Sequence, residues 1–469
     1  MDDIIDIIII GGGISGAYCF RELSKSLSES SVYLFEARDR FGGRTCTSNI
    51  VIDDDRFQVD VGGQWLGVKH TLMLDLCKEM SLELEEQAFP SSSSSSSSSL
   101  VEIAYYKLKE LDNISKEEVK KFQDHMEKIC ILIKNNEEID SSYLNISFYD
   151  ELCKFCSSIY AQEEFLFFIQ TILAVDAKNC SFIFAIYYIY IYGDGMDDLG
   201  DGPEGSQALK VKGGMQQISE YLVNQSLILN NNNKVFTNHV INSIDYTNKD
   251  MIIVNTNSNS KQFKCKRLVL ALSPSIFSKN ITFNPNLDEK RLKFYSSTVM
   301  GSVIKIIIIF NHQFWKSSSS SSSSSLRLSE IGIIHNIFDT MLGCYPGLMC
   351  FITGKYAIQY HNIKDLEERK GVVLNQIKNM YDNYVDPISY IEKDWISEQY
   401  SGGCFATIIG PDDGSNPNDY KYLRKPIDDD DNRILISCSE SSTKFYGYIE
   451  GAARSGKLTA ETIVSSLSV

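Results

Sequence analysis

Asp6-Ile-Ile-Ile-Ile-Gly11-Gly-Gly13-Ile-Ser15-Gly16 opens the chain, and Glu36-Ala-Arg38-Asp-Arg-Phe-Gly42-Gly43-Arg44-Thr45 follows it closely. The apolar run from Ile7 to Ile10 reads as a buried parallel strand. Gly11, Gly13 and Gly16 then satisfy G-x-G-x-x-G at the turn from strand to helix. Gly11 makes the tight turn, Gly13 lets a pyrophosphate approach the backbone, and Gly16 lets the helix pack on the strand. The helix start, with Ser15 in its first turn, then faces the anion. A second strand, Val32 to Phe35, delivers Glu36 about twenty residues beyond Gly16, where an acid hydrogen-bonds the adenosine ribose. The order strand, glycines, helix, acid defines a dinucleotide site. It does not separate NAD from FAD, because both present the same ADP half.

The rest of the composition bounds the answer. A chain of 469 residues, 43% hydrophobic, can bury a large core and form more than one domain. A formal net charge of −16 excludes nucleic acid and anionic membrane surfaces as natural partners, since both would repel it. Twelve cysteines with no secretory pattern read as reduced thiols. Cys153-Lys-Phe-Cys156 is a lone C-x-x-C on an expected helix, better explained as ordinary thiols than as a redox or zinc site. The six histidines show no ligand spacing, so no metal is expected.

Along the chain, the nucleotide fold of residues 1–82 gives way to helix-like, aromatic sequence over 83–207. Strand patterns return at Val235–Asp245, Met251–Thr256 and Lys266–Leu272. A second excursion covers 286–397. Two serine runs, 91–99 and 317–325, cannot bury anything and read as flexible loops. Val303-Ile-Lys305-Ile-Ile-Ile-Ile-Phe310 places one ammonium inside an apolar strand, which demands a partner or a shifted pKa. The plainer reading is a strand-end lysine that snorkels to solvent.

Glu36–Thr45 resembles the segment by which flavin amine oxidases hold FAD, and Val59-Asp-Val-Gly62-Gly63-Gln64-Trp65 continues the resemblance. The block Asp394-Trp395-Ile-Ser-Glu-Gln-Tyr400-Ser-Gly402-Gly403-Cys404-Phe405-Ala-Thr407 is similar to the flavin-containing monoamine oxidases. There the cysteine carries FAD through an 8α-thioether, and Cys404 stands at that position; otherwise it is a small buried thiol. Arg433-Ile-Leu-Ile-Ser-Cys438-Ser-Glu440 with Gly447-Tyr448 resembles the family's closing strand and helix, although Ser437-Cys438 replaces the usual Ala-Gly and Phe405 a tyrosine.

The resemblance implies a Rossmann-like α/β FAD-binding domain (1–82, 208–285, 398–469) interleaved with a sheet-plus-helices substrate domain (83–207, 286–397). It implies cofactor contacts from Gly11, Gly13, Ser15, Gly16, Glu36, Arg38, Gly43, Arg44, Gly63, Gln64, Val240, Trp395, Cys404, Glu440 and Tyr448. It implies that Phe405 and Tyr448 cage the amine, that Gln207 lines the substrate cavity, and that Lys305 acts through water toward the flavin N5. The implied reaction is oxidative deamination of a primary or secondary amine by FAD and O2 to aldehyde, ammonia and hydrogen peroxide. A polyamine or L-amino-acid oxidase on the same fold, or a catalytically weak flavin-binding paralogue, stays open.

Only Lys457–Val469 follow Gly456, far short of the roughly twenty apolar residues of a membrane span. A soluble cytoplasmic protein without a membrane anchor is expected, with oligomeric state, a homodimer included, left open. Acidic residues Asp194, Asp197, Asp198, Asp201 and Glu204 precede Gln207; they read as a solvated loop, or as a steering device near the cavity mouth.

Overall fold

Ile5–Ile10 lies inside the larger of the sheets, paired in parallel with Val32–Phe35 on one side and with Gln262–Leu270 on the other. The computed structural model describes residues 4–87, 111–193, 195–199, 204–257, 261–316, 332–381, 383–411, 416–428 and 432–467. The sheet runs Thr282–Asn284, Ile241–Asp245, Ile252–Thr256, Gln262–Leu270, Ile5–Ile10, Val32–Phe35, Lys234–Phe236, with Ile434–Ile436 also paired to Gln262–Leu270. It therefore draws strands from three separated stretches of chain. Covered on both faces, the first strand is apolar from Ile7 to Ile10, and Asp6 near its start bonds Ser31 and Lys266. Ile7 and Ile9 join a core built with helices Ile14–Ser26, Gln216–Leu229 and Ile449–Leu467, whereas Ile8 and Ile10 face a second core.

The continuous strand pattern expected over Val235–Asp245 is split. Lys234–Phe236 and Ile241–Asp245 lie toward opposite ends of the sheet. The chain turns between them at Asn238, whose φ of 57° is a left-handed conformation that asparagine tolerates.

A second, four-stranded antiparallel sheet runs Asn336–Leu342, Tyr345–Thr353, Val303–Ile309, Ser389–Asp394. Every residue of Val303–Ile309 is buried. Ile304, Ile306 and Ile308 pack beside residues of helices Gly354–His361 and Leu366–Met380, whereas Val303, Ile307 and Ile309 face Cys46, Val59, Trp395 and Cys404. Lys305, by the two-residue period, is on the second face. Helices Asn113–Lys134 and Ile159–Leu173, and helix Phe182–Ile186 continuing as a π-helical turn Tyr187–Tyr192, complete an aromatic-rich wall. Such turns widen a helix and re-aim side chains; this one brings Tyr188 and Tyr190 to the central cavity.

Both serine runs and Asp194 and Asp201 lie outside the described residues, as do the side chains of Asp197 and Asp198. Among the described residues, no helix is long and apolar enough to cross a membrane, and no cluster of His, Cys, Asp or Glu is placed to hold a metal.

Candidate active site

A cavity of about 1410 Å³ extends from the first glycine turn to the second sheet. Pockets for drug-sized ligands run to about 1,000 Å³, so this one has room for a dinucleotide and a small substrate together. Its dinucleotide end is bare backbone. A Cβ on Gly16 would sit 1.9 Å from the Gly11 carbonyl, so only glycine lets the helix start this close to the strand. Beside it, a Cβ on Gly13 would meet nothing nearer than 3.7 Å, leaving open space for a phosphate. No side chain caps helix Ile14–Ser26, so its first-turn N–H groups remain for an anion. Glu36 accepts from Gly12 N (2.8 Å) and Arg38 N (2.9 Å), one bond per oxygen, which leaves lone pairs for ribose hydroxyls. Ser437 is fully buried, and its Oγ pairs with Ser15 Oγ at 2.8 Å, tying the closing strand to the first helix turn.

Two arginines expected against the cofactor have protein partners. Arg38 donates to Glu398 (2.9 Å) and Ser401 (2.8 Å), fastening the segment that leads to Cys404. Arg44 forms a two-pronged pair with Glu440, at 2.6 and 3.0 Å, and also donates to Phe405 O (3.0 Å). Burial alone would raise the Glu440 pKa; the guanidinium overrides it and holds the carboxyl at about 2. Arg44 lines the cavity, whereas Glu440, fully buried, stands behind it. The carboxylate oxygens of Glu440 accept from Arg44, Ser439 and Thr407 N. Val240 and Gly16 likewise fall outside the cavity lining, and the Val240 carbonyl accepts from Asn257 N.

Gly11, Gly13, Ser15, Glu36, Arg38, Gly43, Arg44, Gly63, Gln64, Gln207, Lys305, Trp395, Cys404, Phe405 and Tyr448 all line this one cavity. Cys404 is buried, which pushes its thiol up to about 12 and keeps it neutral. The Cys404–Phe405 peptide bond is cis. The Trp395 indole donates to Val61 O at 2.9 Å. A Cβ on Gly447 would strike Ala406 Cβ at 2.6 Å, so glycine there lets the Tyr448 loop close on the Cys404 segment.

Lys305 does not snorkel. It is 2% exposed, and its Nζ donates to Gln64 Oε1 (2.6 Å) and Gly62 O (2.9 Å). Burial lowers its pKa to about 7, against the pull of Asp60. Strand register sets Lys305 opposite Phe351 and Phe351 opposite Asn336, and all three line the cavity. Phe351 and Phe405 meet edge-on with centroids 6.2 Å apart. Gln207 Oε1 is buried and without a partner.

Sequence reasoning missed Phe351, Asn336 and His70. His70 accepts from Gly67 N at Nδ1 (2.9 Å), which places its proton on Nε2. Burial drops its pKa to about 4, and its ring packs edge-on to Tyr448 at 5.7 Å.

Fold and site together define a dinucleotide-binding enzyme: a glycine-lined cradle opening onto an aromatic chamber that, among the described residues, holds one buried lysine. The chain belongs to the family of flavin containing amine oxidoreductases, whose model matches residues 13–464. It is 27% identical to amine oxidase [flavin-containing] A of Equus caballus, covering 98% of this chain and 85% of that one. It is 26% identical to amine oxidase [flavin-containing] B of Homo sapiens, covering 100% and 87%. Solved structures of the same fold include putrescine oxidase bound to putrescine (TM-score 0.80, 23% identity, 99% of both chains). Cyclohexylamine oxidase from Brevibacterium oxydans is similar (TM-score 0.81, 20% identity, 100% of both chains). The protein is a flavin-dependent amine oxidoreductase.

Proposed function

We propose that the enzyme deaminates a primary or secondary monoamine, with FAD attached through Cys404 Sγ. FAD, when bound, supplies the two-electron chemistry, taking a hydride equivalent from the carbon beside nitrogen and returning electrons to O2 as hydrogen peroxide. The chain's own residues orient the amine, keep it dry and manage its proton. Phe405 and Tyr448 offer aromatic faces, which attract an ammonium by about 0.5–2 kcal/mol each. The unpartnered Gln207 Oε1 can accept a hydrogen from the substrate nitrogen. Phe168, Ile172, Leu199, Phe338 and Phe351 give the chamber an apolar lining. The resulting imine is hydrolysed to aldehyde and ammonia.

The observation that carries the monoamine reading is the charge of the lining. Among the described residues, its only carboxylates are Glu36, at the adenosine end, and the exposed Glu127. Among the described residues of the aromatic end, a second ammonium would find no buried counter-charge, and desolvating it unpaired is costly. Peroxide release with 2-phenylethylamine, putrescine and an L-amino acid tests this. Turnover of phenylethylamine at tenfold or more the kcat/KM of putrescine is expected; preference for putrescine overturns the reading.

The attachment is tested separately. Acid-precipitated wild type retains yellow colour, and Cys404→Ala yields a colourless pellet with free FAD in the supernatant. A colourless wild-type pellet refutes the thioether.

A further inference from the structure

Lys305 Nζ has a hydrogen-bonding geometry that decides what the lysine can do. A charged ammonium carries three hydrogens and no lone pair; a neutral amine carries two hydrogens and one lone pair. Two acceptors are fixed on the nitrogen, Gln64 Oε1 at 2.6 Å and Gly62 O at 2.9 Å, and among the described residues no third partner exists. The remaining tetrahedral direction is left for the cavity that Lys305 lines.

We propose that Gln64 is a positioning residue for Lys305: with Gly62 O it takes both hydrogens of the neutral amine and turns the lone pair to the cavity, where it accepts the proton of the incoming substrate ammonium. The proposal rests on the amine-oxidase reading of this site. In the step, a substrate N–H bond breaks, its electron pair stays on the substrate nitrogen, and the Nζ lone pair forms the new N–H bond. The substrate becomes the neutral amine, the form whose neighbouring carbon gives up hydride. Lys305, then carrying three hydrogens, returns its proton to solvent after product leaves.

The surroundings keep the resting lysine neutral, with its lone pair free to accept. Burial disfavours charge on Lys305, as does Lys210; Asp60 favours it. Asp60 is occupied by Met215 N (3.0 Å) and Thr47 Oγ1 (2.6 Å). Lys393, opposite Lys305 in the strand pairing, is engaged by Glu398. The Trp65 and Phe351 rings, centred 5.8 and 5.6 Å from Nζ, stabilise the cation that forms on transfer. Burial wins in the resting state, placing the group at about 7. A neutral amide suits the clamp: a glutamate at position 64 would pin the proton on the lysine. Gln64 itself is 6% exposed, so no solvent substitutes for its carbonyl.

The test uses Gln64→Glu, which keeps the shape of the side chain and adds a charge. Protein labelled with 13C at lysine Cε gives a Lys305 signal identified by its absence in Lys305→Met, and its titration midpoint is read by NMR. The wild-type midpoint near 7 matches the acid limb of kcat/KM. In Gln64→Glu both move up by about one to three pH units, as an opposite charge in contact requires. Gln64→Leu, which accepts no hydrogen bond, lowers kcat/KM at least tenfold at pH 8 and also lowers the urea midpoint, because it leaves a buried Nζ hydrogen unpaired. A midpoint that moves without the acid limb shows that Lys305 is not the proton acceptor. A midpoint that does not move shows that Gln64 does not govern the lysine. Absence of amine oxidation by the wild type would sink the functional reading instead, while the NMR titration would still decide the Gln64–Lys305 coupling.

Discussion

Lys305→Met loses about 100- to 10,000-fold in kcat/KM, the range a positioned acid–base group contributes. The same substitution changes how stability depends on pH, which separates a lost proton acceptor from a damaged fold. In the folded enzyme Lys305 gives up its proton near pH 7, whereas in the unfolded chain it holds it to about 10.4. Between those values the unfolded state binds more protons, so wild-type stability rises with pH by about 1.4 kcal/mol per unit. Below pH 7 both states are charged and the buried cation carries its full cost. Methionine, similar in length and uncharged, removes that dependence. The wild type should therefore gain on the variant steadily from pH 7 to 10, as read from urea midpoints. Parallel pH profiles for the two proteins would mean that Lys305 is charged in the folded state, and the activity loss would then need another cause. This is a trade of stability for chemistry: a lysine here weakens the core that an apolar residue would strengthen.

Lys305 was legible in the sequence because it breaks a rule. One ammonium in Val303–Phe310 contradicts the apolar pattern of a covered strand, and such local conflicts collect at functional sites. The Gly11–Gly16 turn and Glu36 were legible for a related reason: close backbone approach and an acid at fixed spacing are local demands. What stayed hidden was set by chain segments meeting from afar. Gln64 reaches Lys305 across 241 residues, and Arg38 reaches Glu398 across 360. Neither pairing leaves a mark on residue type, since glutamine and arginine suit many surfaces. Phe351 and Asn336 owe their places to strand register, which sequence alone does not fix when strands are apolar on both faces. The break at Asn238 was invisible because Val235–Asp245 alternates as one strand would. His70 is a single histidine before a helix, and only the turn at Gly67 gives its ring a direction. Ser437, which with Cys438 stands in place of the usual Ala-Gly, makes a hydroxyl contact to Ser15 beside the glycine turn, a pairing between residues 422 apart that the sequence did not show.

Glu440→Gln destabilises the protein by about 3 kcal/mol at neutral pH, the lower end of the cost of stripping one partner from a buried ion pair. The lower end applies because Arg44 is 25% exposed to the cavity and can recover water there. Glutamine keeps the size of the side chain but offers one acceptor oxygen where the carboxylate offers two. Its amide nitrogen then points a donor at Arg44 or at Ser439 Oγ. The damage reaches Cys404, the proposed point of flavin attachment. Arg44 also holds the Phe405 carbonyl, and Glu440 holds Thr407 N, so this one carboxylate adds to the bonds from Gly301 and Tyr446 that fix the segment bearing Cys404. Covalent flavin content should fall with stability, measured as acid-insoluble absorbance per mole of protein. Acid gives the independent check. Glu440 holds its charge to about pH 2 in the folded state, whereas glutamate in the unfolded chain is protonated near 4.5. Its contribution is therefore complete above pH 4.5 and is lost as pH falls toward 2. The wild type should lose its advantage over Glu440→Gln through that window. If the two unfold at the same urea concentration at pH 7, or keep a constant difference down to pH 2, Glu440 does not anchor Arg44.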